Sequence, residues 1–110
     1  VYQVQVSVLD NTGGLEQATG TFETGILLEE NWKGKWITHS LPEEETACPV
    51  YGRHFTAERP VKRARLYATA CGVYEACVNG KKAGDCFLAP GWTSYHNRIQ
   101  YQTYDITELL

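Results

Sequence analysis

In several stretches of the chain apolar and polar residues alternate with period two, the spacing of strands that bury one face. The pattern is densest over residues 63–104 and centres on Asn79-Gly80, a dipeptide that readily takes the positive φ values of a two-residue type I′ turn. A β-hairpin is expected there. Before it, Leu66, Ala68 and Ala70 fall on one face, with Arg65, Tyr67 and Thr69 on the other. After it, Ile99, Tyr101 and Thr103 alternate against Gln100, Gln102 and Tyr104. Cys71-Gly72 breaks the alternation, as a bulge or bend between consecutive strands does. This stretch therefore predicts about four strands and no helix.

A second alternating run opens the chain. Tyr2, Val4, Val6 and Val8 share a face opposite Gln3, Gln5 and Ser7; residues 10–14 are rich in turn formers, and residues 19–23 offer a returning strand. An isolated hairpin is marginal in water, so this one is expected to complete a sheet whose other strands precede residue 1. Residues 24–37 hold Gly25, the apolar Ile26, Leu27 and Leu28, and then Trp32 and Trp36. They read as a linker with aromatic residues that hold two domains together; a sugar-stacking platform is the alternative. Residues 41–47, with Pro42 and three consecutive glutamates, suit an exposed loop.

Residues 51–57 offer a further strand with Tyr51, Arg53 and Phe55 on one side, and Pro60 suits a strand edge. Residues 85–93 leave the strand pattern at Pro90-Gly91, a turn signal flanked by Trp92 and Tyr95. At the end, Asp105 or Thr107 is placed to cap a short helical turn that carries Leu109 and Leu110 inward. No internal repeat or heptad is present.

Composition narrows the class. A chain of 110 residues, 43% of them hydrophobic, is long enough for one small domain with a core, and seven Tyr against three Trp and three Phe suit a β protein. The net charge is −3 and the basic residues are scattered apart from Lys62, Arg63 and Arg65, so nucleic acid is not an expected partner. No apolar run approaches the roughly 18 residues of a membrane helix, and the first residues lack the regions of a signal peptide, so no membrane partner is expected. Cys48, Cys71, Cys77 and Cys86 fit neither a zinc site nor a Cys-x-x-Cys redox motif. Free thiols serving as strand filler are expected, which points to a cytoplasmic compartment; a secreted scaffold with two disulfides is the alternative.

Candidate chemistry is sparse. His39, His54 and His96 are far apart and lack metal-site spacing, so they read as surface residues, and neither a metal site nor a cofactor is expected. Glycosidic cleavage needs two carboxyl groups flanking a sugar. Glu75 and Asp85 are a conceivable pair, but cross-strand pairing of Glu75 with Lys81 or Lys82 is the expected role, and no catalytic residue is assigned.

The stretch ARLYATACGVYEACVNGKKAGDCFLAPGWTSYHNRIQYQTYDITELL resembles the amino-terminal β-sandwich domain of bacterial α-L-rhamnosidases, through ARLY, G-x-YE, the Asn-Gly hairpin, LAPGWTxY and R-x-x-YQTYD. Upstream, Phe22 to Gly25 (FETG), Trp32 and Trp36-Ile37 are similar to the same family. The resemblance implies an all-β fold: a partial β-sandwich of the galactose-binding-like jelly-roll type over 51–110, a linker and aromatic segment over 26–50, and over 1–25 a terminal hairpin of a fibronectin-III-like module. It implies a parent that removes terminal α-L-rhamnose with inversion, using acids in a helical barrel outside this sequence. This chain is then a non-catalytic accessory segment that assists recognition of a rhamnose-containing carbohydrate; the alternative is a structural module that packs the catalytic domain without binding sugar.

For sugar binding, convergent polar groups beside an aromatic face are required. Trp92, Tyr95, Asn97 and Arg98 form the best group, with Asn79 and Asp85 behind them. Some such jelly rolls hold structural calcium, for which the acidic run at 43–45 is the only concentration of acids. The family pattern continues with further strands, so uncovered strand edges and self-association are expected of this fragment.

Overall fold

The computed structural model describes residues 1–40, 42 and 47–110; the acidic run at 43–45 lies outside the described residues. The chain divides into two compact units, Val1–Pro49 and Val50–Leu110. The described residues are all-β in their regular structure, with no α-helix and two short 3-10 turns, at Glu29–Asn31 and Thr107–Leu109. None of these is long and apolar enough to cross a membrane.

In the first unit β1 (Tyr2–Leu9) pairs antiparallel with β2 (Leu15–Phe22), from Tyr2 opposite Phe22 to Leu9 opposite Leu15. The returning strand begins at Leu15, earlier than the expected residue 19, because Asp10 closes the turn tightly. Its Oδ1 accepts the backbone N–H of Thr12 at 2.8 Å, the Thr12 hydroxyl at 2.8 Å and the backbone N–H of Gly14 at 2.7 Å. Those bonds, the Thr12 hydroxyl foremost, hold the Asp10 carboxyl below its ordinary pKa. Register is further fixed by the stacked rings of Tyr2 and Phe22, 5.2 Å apart, and by a bond from Gln17 Nε2 to Ser7 Oγ. Every residue of both strands is exposed. In the following segment Trp32 is half-buried, whereas Trp36 and Ile37 are exposed.

The second unit has a core. Here β3 (Arg65–Ala68) pairs antiparallel with β6 (Gln102–Asp105), and β4 (Cys77–Val78) with β5 (Lys81–Lys82). The β4–β5 turn is the expected one: Asn79 and Gly80 both have positive φ, at 50° and 76°. A bond from Ala83 N to Ala76 O extends the hairpin by one more rung. Ala83, Tyr104 and Ile106 are buried, and Ala64, Leu66, Ala68, Ala76 and Val78 pack against them, so the period-two faces anticipated for β3 and for the hairpin do turn inward.

In the last run, whose inward face alternation left open, the buried residues are Tyr104 and Ile106, because β6 begins only at Gln102 and its register puts Tyr104 beside Leu66. Two expectations are corrected. Residues 51–57 form no strand; Tyr51 and Phe55 are exposed. The final turn carries Leu109 toward the core but leaves Leu110 exposed.

Two contacts lock this unit. A Cβ placed on Gly84, where φ is +74°, would lie 2.6 Å from Cδ1 and 2.7 Å from Cε1 of the Tyr104 ring, so only glycine lets the backbone approach that ring edge so closely. The Tyr104 hydroxyl meets that of Tyr74 at 3.1 Å, and Tyr74 donates to Ala68 O at 3.2 Å. Burial first, then the Tyr104 hydroxyl, pushes the Tyr74 phenol well above its ordinary pKa.

Candidate functional site

The loop between β5 and β6 carries the residues singled out for recognition. It is tethered near its middle, where Tyr74 N donates to Ala89 O at 2.8 Å and Ala89 is buried. Leu88, φ +54°, and Gly91, φ +99°, turn the chain on either side of the cis Ala89-Pro90 bond. A second tether closes the far end. Ser94 O accepts the N–H groups of Asn97 at 2.8 Å and Arg98 at 2.9 Å, and the Thr93 hydroxyl donates to Arg98 O at 2.6 Å. At the base, the Thr69 hydroxyl donates to Gln100 O.

Between those tethers Trp92 stands out. Its residue is 80% exposed, and its ring lies 6.4 Å from that of Tyr95 at 37°, a tilted pair. The structure thus brings Trp92 and Tyr95 together, with Asn97 and Arg98 on the same tight turn. Asn97 spends its amide on Ser94 Oγ at 3.3 Å, holding the turn. The Tyr95 hydroxyl is enclosed and has no hydrogen-bond partner among the described residues. Arg98 lines a shallow groove of about 370 Å³ with Ile99, Gln100 and Tyr101.

Asn79 and Asp85 stand apart from this group. The Asn79 side chain donates to Leu109 O at 2.7 Å, which ties the hairpin turn to the final 3-10 turn. Asp85 lies within 3.8 Å of the Cys86 thiol. Glu75 takes the role expected of it: its carboxylate lies 3.1 Å from Lys82 Nζ, and that ammonium sits 3.4 Å above the Phe87 ring. The pattern of the sequence contained no signal for the Lys82–Phe87 contact, since it depends on how the loop folds back over the hairpin.

A larger cleft, about 510 Å³, lies elsewhere in the unit and is lined by Lys62, Arg63, Lys82, Asp105, Thr107 and Glu108 among others. Neither Trp92 nor Tyr95 borders it. Its walls bear both charge signs, and Asp105 is already engaged: its Oδ1 accepts Thr107 N at 3.0 Å and the Thr107 hydroxyl at 2.6 Å, and its Oδ2 lies 2.6 Å from Arg65. The Thr107 hydroxyl in turn accepts Ala64 N at 2.9 Å. Hydrogen bonds from Thr107, more than the charge of Arg65, hold the Asp105 carboxyl below its ordinary pKa. The cleft is therefore a braced junction of β3 and β6.

The four cysteines are unpaired and exposed, and among the described residues no three of His, Cys, Asp and Glu converge as a metal site would require.

Comparisons with known proteins agree with the residues that carry the resemblance. Residues 59–110 match the family described as the alpha-L-rhamnosidase N-terminal domain. An α-L-rhamnosidase of Streptomyces avermitilis is 63% identical over 49 residues, covering 44% of this chain and 5% of that protein. Others from Alteromonas sp. and Formosa agariphila are 45% identical over 98 residues and 39% over 100, covering 80% and 81% of this chain and 10% and 11% of theirs. The chain thus spans about a tenth or less of the length of these curated relatives. No solved structure matches it. Residues 59–110, all of the second unit but its first nine residues, thus belong to the bacterial α-L-rhamnosidase N-terminal domain family, and similarity to α-L-rhamnosidases runs on into the first unit.

Proposed function

We propose that this chain is a non-catalytic, accessory part of an α-L-rhamnosidase, and that the loop centred on Trp92 assists recognition of a rhamnose-containing carbohydrate. One observation carries the reading: a tryptophan left 80% exposed between the two tethers of its loop, with a second aromatic ring beside it. An indole held in water by a rigid frame presents a flat apolar face, which suits the C–H face of a pyranose. Arg98 and its groove supply donors for hydroxyl groups within the same turn. The parent activity, removal of terminal α-L-rhamnose, belongs to this proposal, since the chain spans about a tenth or less of its α-L-rhamnosidase relatives.

The second reading, a module that packs another domain without touching sugar, is favoured by the neighbours of Trp92. Phe87 and Leu88 are 80% and 74% exposed on the same loop, and adjoining apolar side chains are what a domain interface buries. A titration of the chain with L-rhamnose, followed by tryptophan fluorescence, separates the two. A saturable change that disappears in Trp92→Ala supports recognition. No response at high millimolar sugar leaves the packing module.

A further inference from the structure

We propose that Lys82 is the positioning residue of the Trp92 loop: its enclosed ammonium, backed by Glu75, clamps the Phe87 ring and so fixes the looped-out segment that leads to Trp92. The inference rests on the reading of that loop as a sugar-recognition element. It starts from an interruption in the backbone ladder. Ala83 N donates to Ala76 O, and two residues back along the same strand edge Tyr74 N donates to Ala89 O, both at 2.8 Å. Glu75 alone separates these rungs on one side, whereas residues 84–88 separate them on the other. Those residues therefore loop out of what is otherwise one returning strand. All of them are exposed, so packing on the core does not hold them.

Side chains span the gap instead. Lys82 lies opposite Cys77, which puts it on the same strand face as Glu75, two residues from Cys77. Its ammonium is enclosed and donates no aligned hydrogen bond among the described residues. A charge taken out of water in this way is costly unless it is paired. Here it is offset by the Glu75 carboxylate at 3.1 Å and by the negative face of the Phe87 ring, whose centroid lies 3.4 Å away. Phe87 is 80% exposed, so burial does not fix its ring; the ammonium does. Leu88, the buried Ala89 and Pro90-Gly91 follow directly and carry the chain to Trp92. With Phe87 held, the segment enters the Ala89 rung in one conformation. A loop ordered before the sugar arrives loses less entropy on binding, which is how a residue outside the aromatic pair acts on affinity.

Two measurements on the full chain test the clamp without sugar. Limited acetylation of amines with acetic anhydride, read by mass spectrometry, is expected to modify the exposed Lys81 well before Lys82, and to modify both at similar rates in Phe87→Leu. Lys82→Gln should speed amide exchange at residues 85–88 several-fold while leaving β3 and β6 unchanged. Because the two side chains act through one contact, the double variant should exchange no faster there than either single one. In a titration with L-rhamnose followed by tryptophan fluorescence, Lys82→Gln should raise the dissociation constant several-fold. Lys82 acetylated as fast as Lys81 in the unmodified chain overturns the proposal. So does exchange at residues 85–88 that ignores Lys82→Gln, exchange that rises equally in β3 and β6, or a dissociation constant for L-rhamnose that the variant leaves unchanged. An unmodified chain that gives no response to the sugar defeats the recognition reading instead, and acetylation and exchange then decide the clamp by themselves.

Discussion

The two units use the same local device and end in different states. In each, an aspartate accepts both the backbone N–H and the hydroxyl of a threonine two residues on: Asp10 with Thr12, and Asp105 with Thr107. In each, period-two strands are joined by tight turns with positive φ, at Gly13 in one and at Asn79 and Gly80 in the other. Yet no described residue of the first unit is buried, while the second buries Ala83, Ala89, Tyr104 and Ile106. The difference lies in sequence separation. The Asp10 turn bonds only to its own neighbours, whereas Thr107 also accepts from Ala64, 43 residues away, and Asp105 pairs with Arg65 across β3–β6. Local turn chemistry sets register; a core requires contacts that return from far along the chain.

The sharpest way to break this contrast is to remove the residue on which the second unit closes. Tyr104→Ala deletes the ring that rests on Gly84 and the hydroxyl that meets Tyr74, and large aromatic truncations of this kind cost about 3–5 kcal/mol. Urea unfolding followed by near-ultraviolet circular dichroism should show the second unit's transition move to much lower denaturant, leaving hairpins without a core. Gly84→Ala approaches the same contact from its other side. Its methyl meets the Tyr104 ring at 2.6 Å from a backbone at φ +74°, so a loss of about 2 kcal/mol is expected in the same measurement. A stability unchanged by this substitution would mean that the ring does not lie against that backbone.

Acid titration compares the paired aspartates directly. Both have native pKa values below the ordinary one, so the stability they confer is present above the unfolded-state value of about 3.9 and is lost as pH falls through the lower native values. Asp105→Asn should flatten the acid limb of the second unit's unfolding curve. Asp10→Asn should leave that curve alone and instead loosen the β1–β2 turn, read as faster amide exchange at Thr12 and Gly14. The smallest effect is expected at Tyr95→Phe. The enclosed hydroxyl has no partner among the described residues, so its removal should leave stability unchanged or raise it by up to about 1 kcal/mol, while keeping the ring beside Trp92.

Much of the site was legible from the chain, though unevenly. Pro90-Gly91 marked the loop, and Trp92, Tyr95, Asn97 and Arg98 are close in sequence, so their grouping on one turn needed only local geometry. Asn79 and Asp85 were harder to place, because which way a turn residue's amide reaches depends on the element packed beside it; here that element is the final 3-10 turn, through Leu109. Residues 51–57 show the limit of alternation as a signal. Their pattern suits a strand, but a strand forms only when another offers its hydrogen bonds, and none does among the described residues.

What the amino-acid sequence determined by itself is the set of properties that close over a few residues. These are the Asn79-Gly80 turn with the β4–β5 register it sets, the Glu75–Lys82 pair and the family signature running from Ala64 onward. Only the tertiary structure decided which parity of the last run turns inward, that Gly84 lies close against the edge of the Tyr104 ring, and that Trp92 stands in solvent between two tethers. Period-two alternation is symmetric between a strand's two faces, and it acquires an inside and an outside only when a distant segment covers one of them.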